Sequence, residues 1–127
     1  MARGKCCGST TAVTPDSRPA DTVIIYTHPA CLGHDAGDEH PEKPARLEVV
    51  LEGLRESHAG QDWREAPLAK LGDLRRVHDE SLLQAVLDSN FEGRRRLDPD
   101  TRICPQSGAA ALRAAGAAVE GVDSVMQ

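Results

Sequence analysis

Val23, Ile24, Ile25 and Tyr26 form a short unbroken apolar run. Such a run fits a strand buried on both faces, as in a parallel sheet. The next apolar pattern has a different period. Leu47, Val50, Leu51 and Leu54 fall at i, i+3, i+4 and i+7, one stripe of an amphipathic helix within "PARLEVVLEGLRESHAG". Pro44 suits the first helical position. Glu42 lies near the positive end of the helix dipole, and Gly60 is placed to close the other end. "WREAPLAKL" is predicted to hold a short strand. "DLRRVHDESLLQAVLDSN" reads as helix, broken or restarted near Asp79, with Leu82, Leu83, Val86 and Leu87 as its core face. "GRRRLDPDTRICPQSG" is turn-rich. "SGAAALRAAGAAVEGVDSVMQ" reads as a last helix with Ser107 as N-cap. Leu112, Ala115, Val119, Val122 and Met126 line one of its faces, and Gly108, Ala111 and Gly116 permit close backbone approach.

These elements predict an α/β fold with a mainly parallel sheet and flanking helices. A parallel strand needs neighbours and covering helices, and one good strand with one weak one cannot enclose a core. The expectation is the front part of a larger domain, spanning residues 21–127, behind a small, polar, proline-punctuated leader at 1–20 that reads as disordered. Composition agrees. Leu (12), Val (9), Ile (3) and Phe (1) make up about a fifth of the 127 residues, where globular chains shade toward disorder.

Net charge is −5 with both signs dispersed, so no basic face invites nucleic acid. Arg94, Arg95 and Arg96 read as a solvated loop. No apolar run approaches the roughly 20 residues that span a bilayer, so no membrane partner is expected. Cys6, Cys7, Cys31 and Cys104 follow no CxxC spacing, and reduced thiols in a cytoplasm are the expectation.

Candidate chemistry concentrates in "THPACLGHDAGDEHPEKPARL", residues 27 to 47. His28, His34 and His40 lie six apart, with Cys31, Asp35, Asp38 and Glu39 among them. Zinc takes such ligands. Equally, Pro29, Gly33, Gly37 and Pro41 would set the path of a loop whose polar groups bond to its own backbone. The spacing leaves both open. His58 and His78 read as structural helix-end histidines.

The loop also resembles the first active-site loop of the histone deacetylase superfamily, nearest its class II branch and the bacterial deacetylase-like and acetylpolyamine amidohydrolases. The motif His-Pro-Glu-x-Pro-x-Arg stands here as His40, Pro41, Glu42, Pro44 and Arg46. "RRVHDESLL" and "DPDTRICPQSGAAALRAAGAAVEGV" resemble later stretches of the same family, so the likeness runs over about residues 22–127. It implies an arginase/deacetylase-like sheet and zinc-assisted hydrolysis of an acetyl-lysine or other acetylated-amine amide. The family's zinc ligands, histidine pair and tyrosine follow the Ala-rich helix. The resemblance therefore implies that this chain has no catalytic residue, binds no metal and is inactive alone, with zinc present in the complete enzyme and the remainder of the domain as a partner.

Two roles carry over by resemblance. Arg46 matches the arginine of the inner channel behind the active site. Asp98 and Asp100 both match the substrate rim, where a carboxylate accepts hydrogen bonds from substrate amides. His40, Pro41 and Glu42 belong to the active-site loop. Some class II members hold a second, structural zinc near this loop. The alternative function is thus a non-catalytic zinc-binding or interaction module using Cys31, His34 and His40, although the paired Cys-x-Cys is missing and Cys104 is displaced.

Overall fold

A computed structural model describes residues 22–127. The expected leader lies outside them, with Cys6 and Cys7. The chain runs through β1 (Ile24–Thr27), a 3-10 turn (Pro29–Gly33), α1 (Pro44–Ser57), β2 (Asp62–Glu65), α2 (Leu71–Leu74), α3 (Glu80–Leu87), β3 (Arg95–Arg96), β4 (Arg102–Ile103) and α4 (Ser107–Met126). β1 and β2 pair in parallel, from Ile24 opposite Asp62 to Thr27 opposite Glu65, with α1 as the crossover. β3 and β4 form a short antiparallel hairpin inside the segment expected to be a turn-rich loop. No described helix is long and apolar enough to cross a membrane.

Local chemistry explains most boundaries. Pro44 occupies the first turn of α1, where its missing N–H costs nothing. The helix ends earlier than Gly60. His58 is the cap, its N–H bonded to Leu54 O at 2.8 Å, and the Ser57 hydroxyl donates to Gly53 O at 2.6 Å. Gly60 is not in the left-handed region, which among the described glycines holds Gly37 and Gly93. The helical stretch after β2 is interrupted as expected, with Asp79 as the cap before α3.

The apolar faces depart from expectation in several places, beginning with Val50 of the α1 stripe and Leu82 of the α3 face, which are exposed because no described element covers them. β1 is half-buried at all four positions instead of buried on both faces, because β2 is its one strand neighbour among the described residues. On α4 the buried residues are Ser107, Gly108, Ala110 and Gly116, while Val119, Val122 and Met126 of the expected face are exposed. Small side chains let the α4 backbone approach its neighbours. A Cβ on Gly108 would lie 2.9 Å from Val86 O, and one on Gly116 would overlap Pro67 O. Ala69 N–H donates to Leu112 O at 2.9 Å, and the Arg113 guanidinium donates to Ala66 O at 2.7 Å. Tyr26 and Ser124 join their hydroxyls at 3.1 Å, tying β1 to the end of α4. Leu51, Leu83 and Ile103 supply the larger buried side chains between these elements.

Candidate functional site

The β1–α1 loop, residues 28–43, is folded mainly by its own polar groups. His28 caps the 3-10 turn, its Nδ1 accepting the Ala30 N–H at 3.0 Å. Its Nε2 meets Glu65 at 3.0 Å across the carboxyl ends of β1 and β2. Asp35 Oδ1 accepts the Gly37 N–H at 2.9 Å. Gly37 has φ +117°, a conformation L side chains rarely adopt. The His40 N–H then donates to Gly37 O at 2.9 Å, and His40 Nδ1 accepts the Glu42 N–H at 3.1 Å. This acceptance leaves the proton of neutral His40 on Nε2, which donates to Asp100 O at 3.0 Å.

Three connections join this loop to the distant segment 94–107. The His40–Asp100 bond is one. The second is Arg94, whose Nη2 reaches Asp35 Oδ2 at 2.5 Å while Nε donates to Asp35 O at 3.1 Å. Arg94 holds the Asp35 carboxyl below its usual range, with help from the Gly37 N–H. The third is a cluster under the start of α4. Ser107 begins that helix rather than capping it, and its hydroxyl turns back to accept the Cys104 N–H at 2.8 Å. The same hydroxyl bonds His34 Nδ1 at 2.7 Å, and His34 Nε2 stands 3.9 Å from Glu42 Oε2. Cys104 Sγ lies 3.4 Å from the Asp35 N–H and 3.3 Å from Gly33 O. Burial pushes the Cys104 thiol up. The Ser107 hydroxyl and the N–H groups of Asp35, Gln106 and Ser107 outweigh that, so it rests below an ordinary thiol.

The candidate residues fall on both sides of the loop. Arg46 borders a cleft of about 270 Å³ with Cys31, His34, Glu42, Leu47 and Val50. A second cleft, about 360 Å³, shares Cys31, His34 and Glu42 and is closed by Leu97, Ile103 and Ser107. Asp98 and Asp100 sit at the exposed tip of the β3–β4 hairpin. The Asp98 carboxylate accepts the Asp100 N–H at 2.8 Å and is held below its usual range by that bond and by Thr101. Among the described residues, no hydrogen bond or ion pair engages the Asp100 carboxylate. Pro41 and Glu42 lead into α1, and both are exposed.

Cys31, His34 and His40 do not converge as zinc ligands. Both ring nitrogens of His40 are bonded, and His34 is held between Ser107 and Glu42. Among the described residues no group of three or more His, Cys, Asp or Glu side chains is arranged to hold a metal. His58 bonds the Ser57 hydroxyl at 2.7 Å, and His78 follows α2, its N–H bonded to Leu74 O. The arginine run is not merely solvated. Arg94 clamps Asp35, while Arg95 pairs with Asp88 at 3.0 Å and lies 4.0 Å over the Phe91 ring. The partnership of Asp35 with Arg94 is invisible to any local pattern, since 59 residues separate them.

Similarity to known proteins follows the same outline. The model of the histone deacetylase domain matches residues 40–127. The uncharacterized protein slr0245 of Synechocystis sp. is 33% identical over 109 residues, which are 82% of this chain and 36% of that protein. The crystal structure of the HDA15 HD domain superposes with a TM-score of 0.68 at 23% identity, covering 78% of this chain and 30% of that one. The chain thus spans about a third of the length of each. The strand–loop–helix order and parallel β1–β2 pairing are a part of that deacetylase-domain fold. With the match reaching from the His40-Pro41-Glu42 motif to the end of α4, the chain belongs to the histone deacetylase domain family.

Proposed function

We propose that residues 21–127 form the first part of a zinc-dependent deacetylase domain and build one wall of its substrate pocket. The substrate would be an acetyl-lysine or another acetylated amine. One observation carries this: the loop bearing His40-Pro41-Glu42 is bonded directly to the hairpin bearing Asp98 and Asp100, through His40 Nε2 to Asp100 O. Loop and rim are therefore a single surface.

Each side of that surface has its own task. Asp98 is engaged within its turn, whereas the exposed Asp100 carboxylate has no hydrogen-bond or ion-pair partner among the described residues, so Asp100 is the rim residue that receives substrate backbone N–H groups. Arg46, beside the smaller cleft, offers a guanidinium to a carboxylate such as released acetate. Pro41 and Glu42 fix the approach of the loop to α1. Zinc dependence is proposed for the complete domain on the strength of its membership in the histone deacetylase domain family. The free thiols of Cys31 and Cys104 suit a reducing cytoplasm.

The test is a nuclear magnetic resonance titration of the chain with an Nε-acetyl-lysine peptide. Amide shifts are expected at His40, Asp100 and Thr101, and Asp100→Ala abolishes them. Shifts confined to other surfaces, or none at millimolar peptide, would overturn the assignment.

A further inference from the structure

The β3–β4 hairpin pairs only two residues on each strand, and of these only Ile103 is buried. A hairpin this short has no stability of its own. Something outside it must fix where its tip stands. Arg94, immediately before β3, makes one such contact: it grips Asp35 twice, through the carboxylate and through the backbone carbonyl. The other Asp35 oxygen is held by the Gly37 N–H, so the acceptor is itself immobilised. Gly37 lies beneath the clamp. A Cβ there would stand 3.7 Å from the Arg102 guanidinium and 3.9 Å from Arg94 Nε. Its positive φ and its lack of a side chain let the loop pass under both arginines.

We infer that Arg94 is a positioning residue, holding the β3–β4 hairpin and its Asp100 tip against the β1–α1 loop through Asp35. The clamp sits at the base of the hairpin and the His40–Asp100 bond at its tip, so two points separated along the hairpin define its angle. Arginine suits this place because one planar fork can reach a carboxylate and a carbonyl at once, which a lysine ammonium does not reproduce. The pair is exposed, with 44% and 40% of the side chains accessible, so its effect is on geometry rather than on global stability. That the positioned tip is a substrate rim rests on the proposed function; the clamp itself does not.

The experiment is amide hydrogen exchange on the full chain as wild type, Arg94→Gln, Asp35→Asn and the double variant. The readout is the Leu97 N–H, bonded to Thr101 O across the hairpin, and the control is the Ala110 N–H in α4. Leu97 is expected to exchange several-fold faster in each single variant, and the double variant no faster than Arg94→Gln alone, since the two residues act through each other. Ala110 stays unchanged. Unaltered Leu97 exchange in Arg94→Gln, or effects that add in the double variant, would overturn the inference. Should one variant lose protection at Ala110 as well, the other carries the comparison. If the exchange behaves as expected while the acetyl-lysine peptide shifts nothing at the hairpin, the rim assignment fails and the clamp stands.

Discussion

Gly116 and Gly121 both lie in α4, and alanine has opposite predicted effects at the two. In a free helix Gly→Ala stabilises by about 1 kcal/mol. At Gly121 the new methyl meets Tyr26 Cε2 at 4.0 Å, an ordinary contact, so Gly121→Ala should keep most of that gain. At Gly116 the methyl lands 2.7 Å from Ala69 N and from Pro67 C, and nearer still to Pro67 O. All of these are backbone atoms, which cannot rotate aside. Restoring ordinary contact with Pro67 O means parting α4 from the 66–69 segment by well over ~1 Å, a strain of about 1–3 kcal/mol. The same movement stretches the Ala69–Leu112 and Arg113–Ala66 bonds, each worth about 0.5–1.5 kcal/mol. Gly116→Ala should therefore lose about 2 kcal/mol net. Urea unfolding followed by far-ultraviolet circular dichroism reads this as a midpoint lower by about 1 M or more, with Gly121→Ala slightly raised. Equal stabilisation by both alanines would refute the close approach at Gly116.

Two further outcomes follow from the site. Ser107→Ala strands the buried Cys104 N–H, costing about 1–3 kcal/mol; it also removes the leading group that lowers the Cys104 thiol. Residue-resolved alkylation should then show Cys104 reacting in a higher pH range, and an unchanged profile would contradict the hydrogen bond. Asp35, Glu80, Asp88 and Asp98 are all held below ordinary carboxyl values, by Arg94, Arg75, the Asn90 N–H and the Asp100 N–H respectively. Their stabilisation is present above the unfolded values of 3.8 for Asp and 4.5 for Glu and is lost as pH falls through the lowered folded ones. The urea midpoint should be level near neutrality and fall below about pH 4; a midpoint that rises on acidification would contradict these pairings.

What the sequence shows best is what local chemistry decides. Periodicity places α1 and α3, Pro44 starts a helix, and Gly108 and Gly116 mark close approach because a Cβ at either would press on backbone atoms, while Ala111 of the same expected set is exposed. Tertiary surroundings decide the rest. An apolar run such as Val23 to Tyr26 predicts burial only when both faces find neighbours, and β1 has one strand beside it among the described residues. The apolar stripe of α4 was a sound amphipathic pattern, yet the small residues define the buried side, since backbone-to-backbone contact excludes long side chains. Charge runs mislead in the same way. Arg94 finds Asp35 only after the fold closes the distance, and the histidine loop looks like a zinc site until its ring nitrogens prove engaged with Ser107, Asp100 and the loop backbone.

The claim that this chain shapes a pocket wall, while the metal is held elsewhere, is tested most directly by zinc analysis of the purified chain after equilibrium dialysis. Substoichiometric zinc and a fold unchanged by chelator are expected, because Cys31, His34 and His40 do not converge. One zinc per chain, with unfolding on its removal, would contradict the account and favour a self-contained metal-binding module.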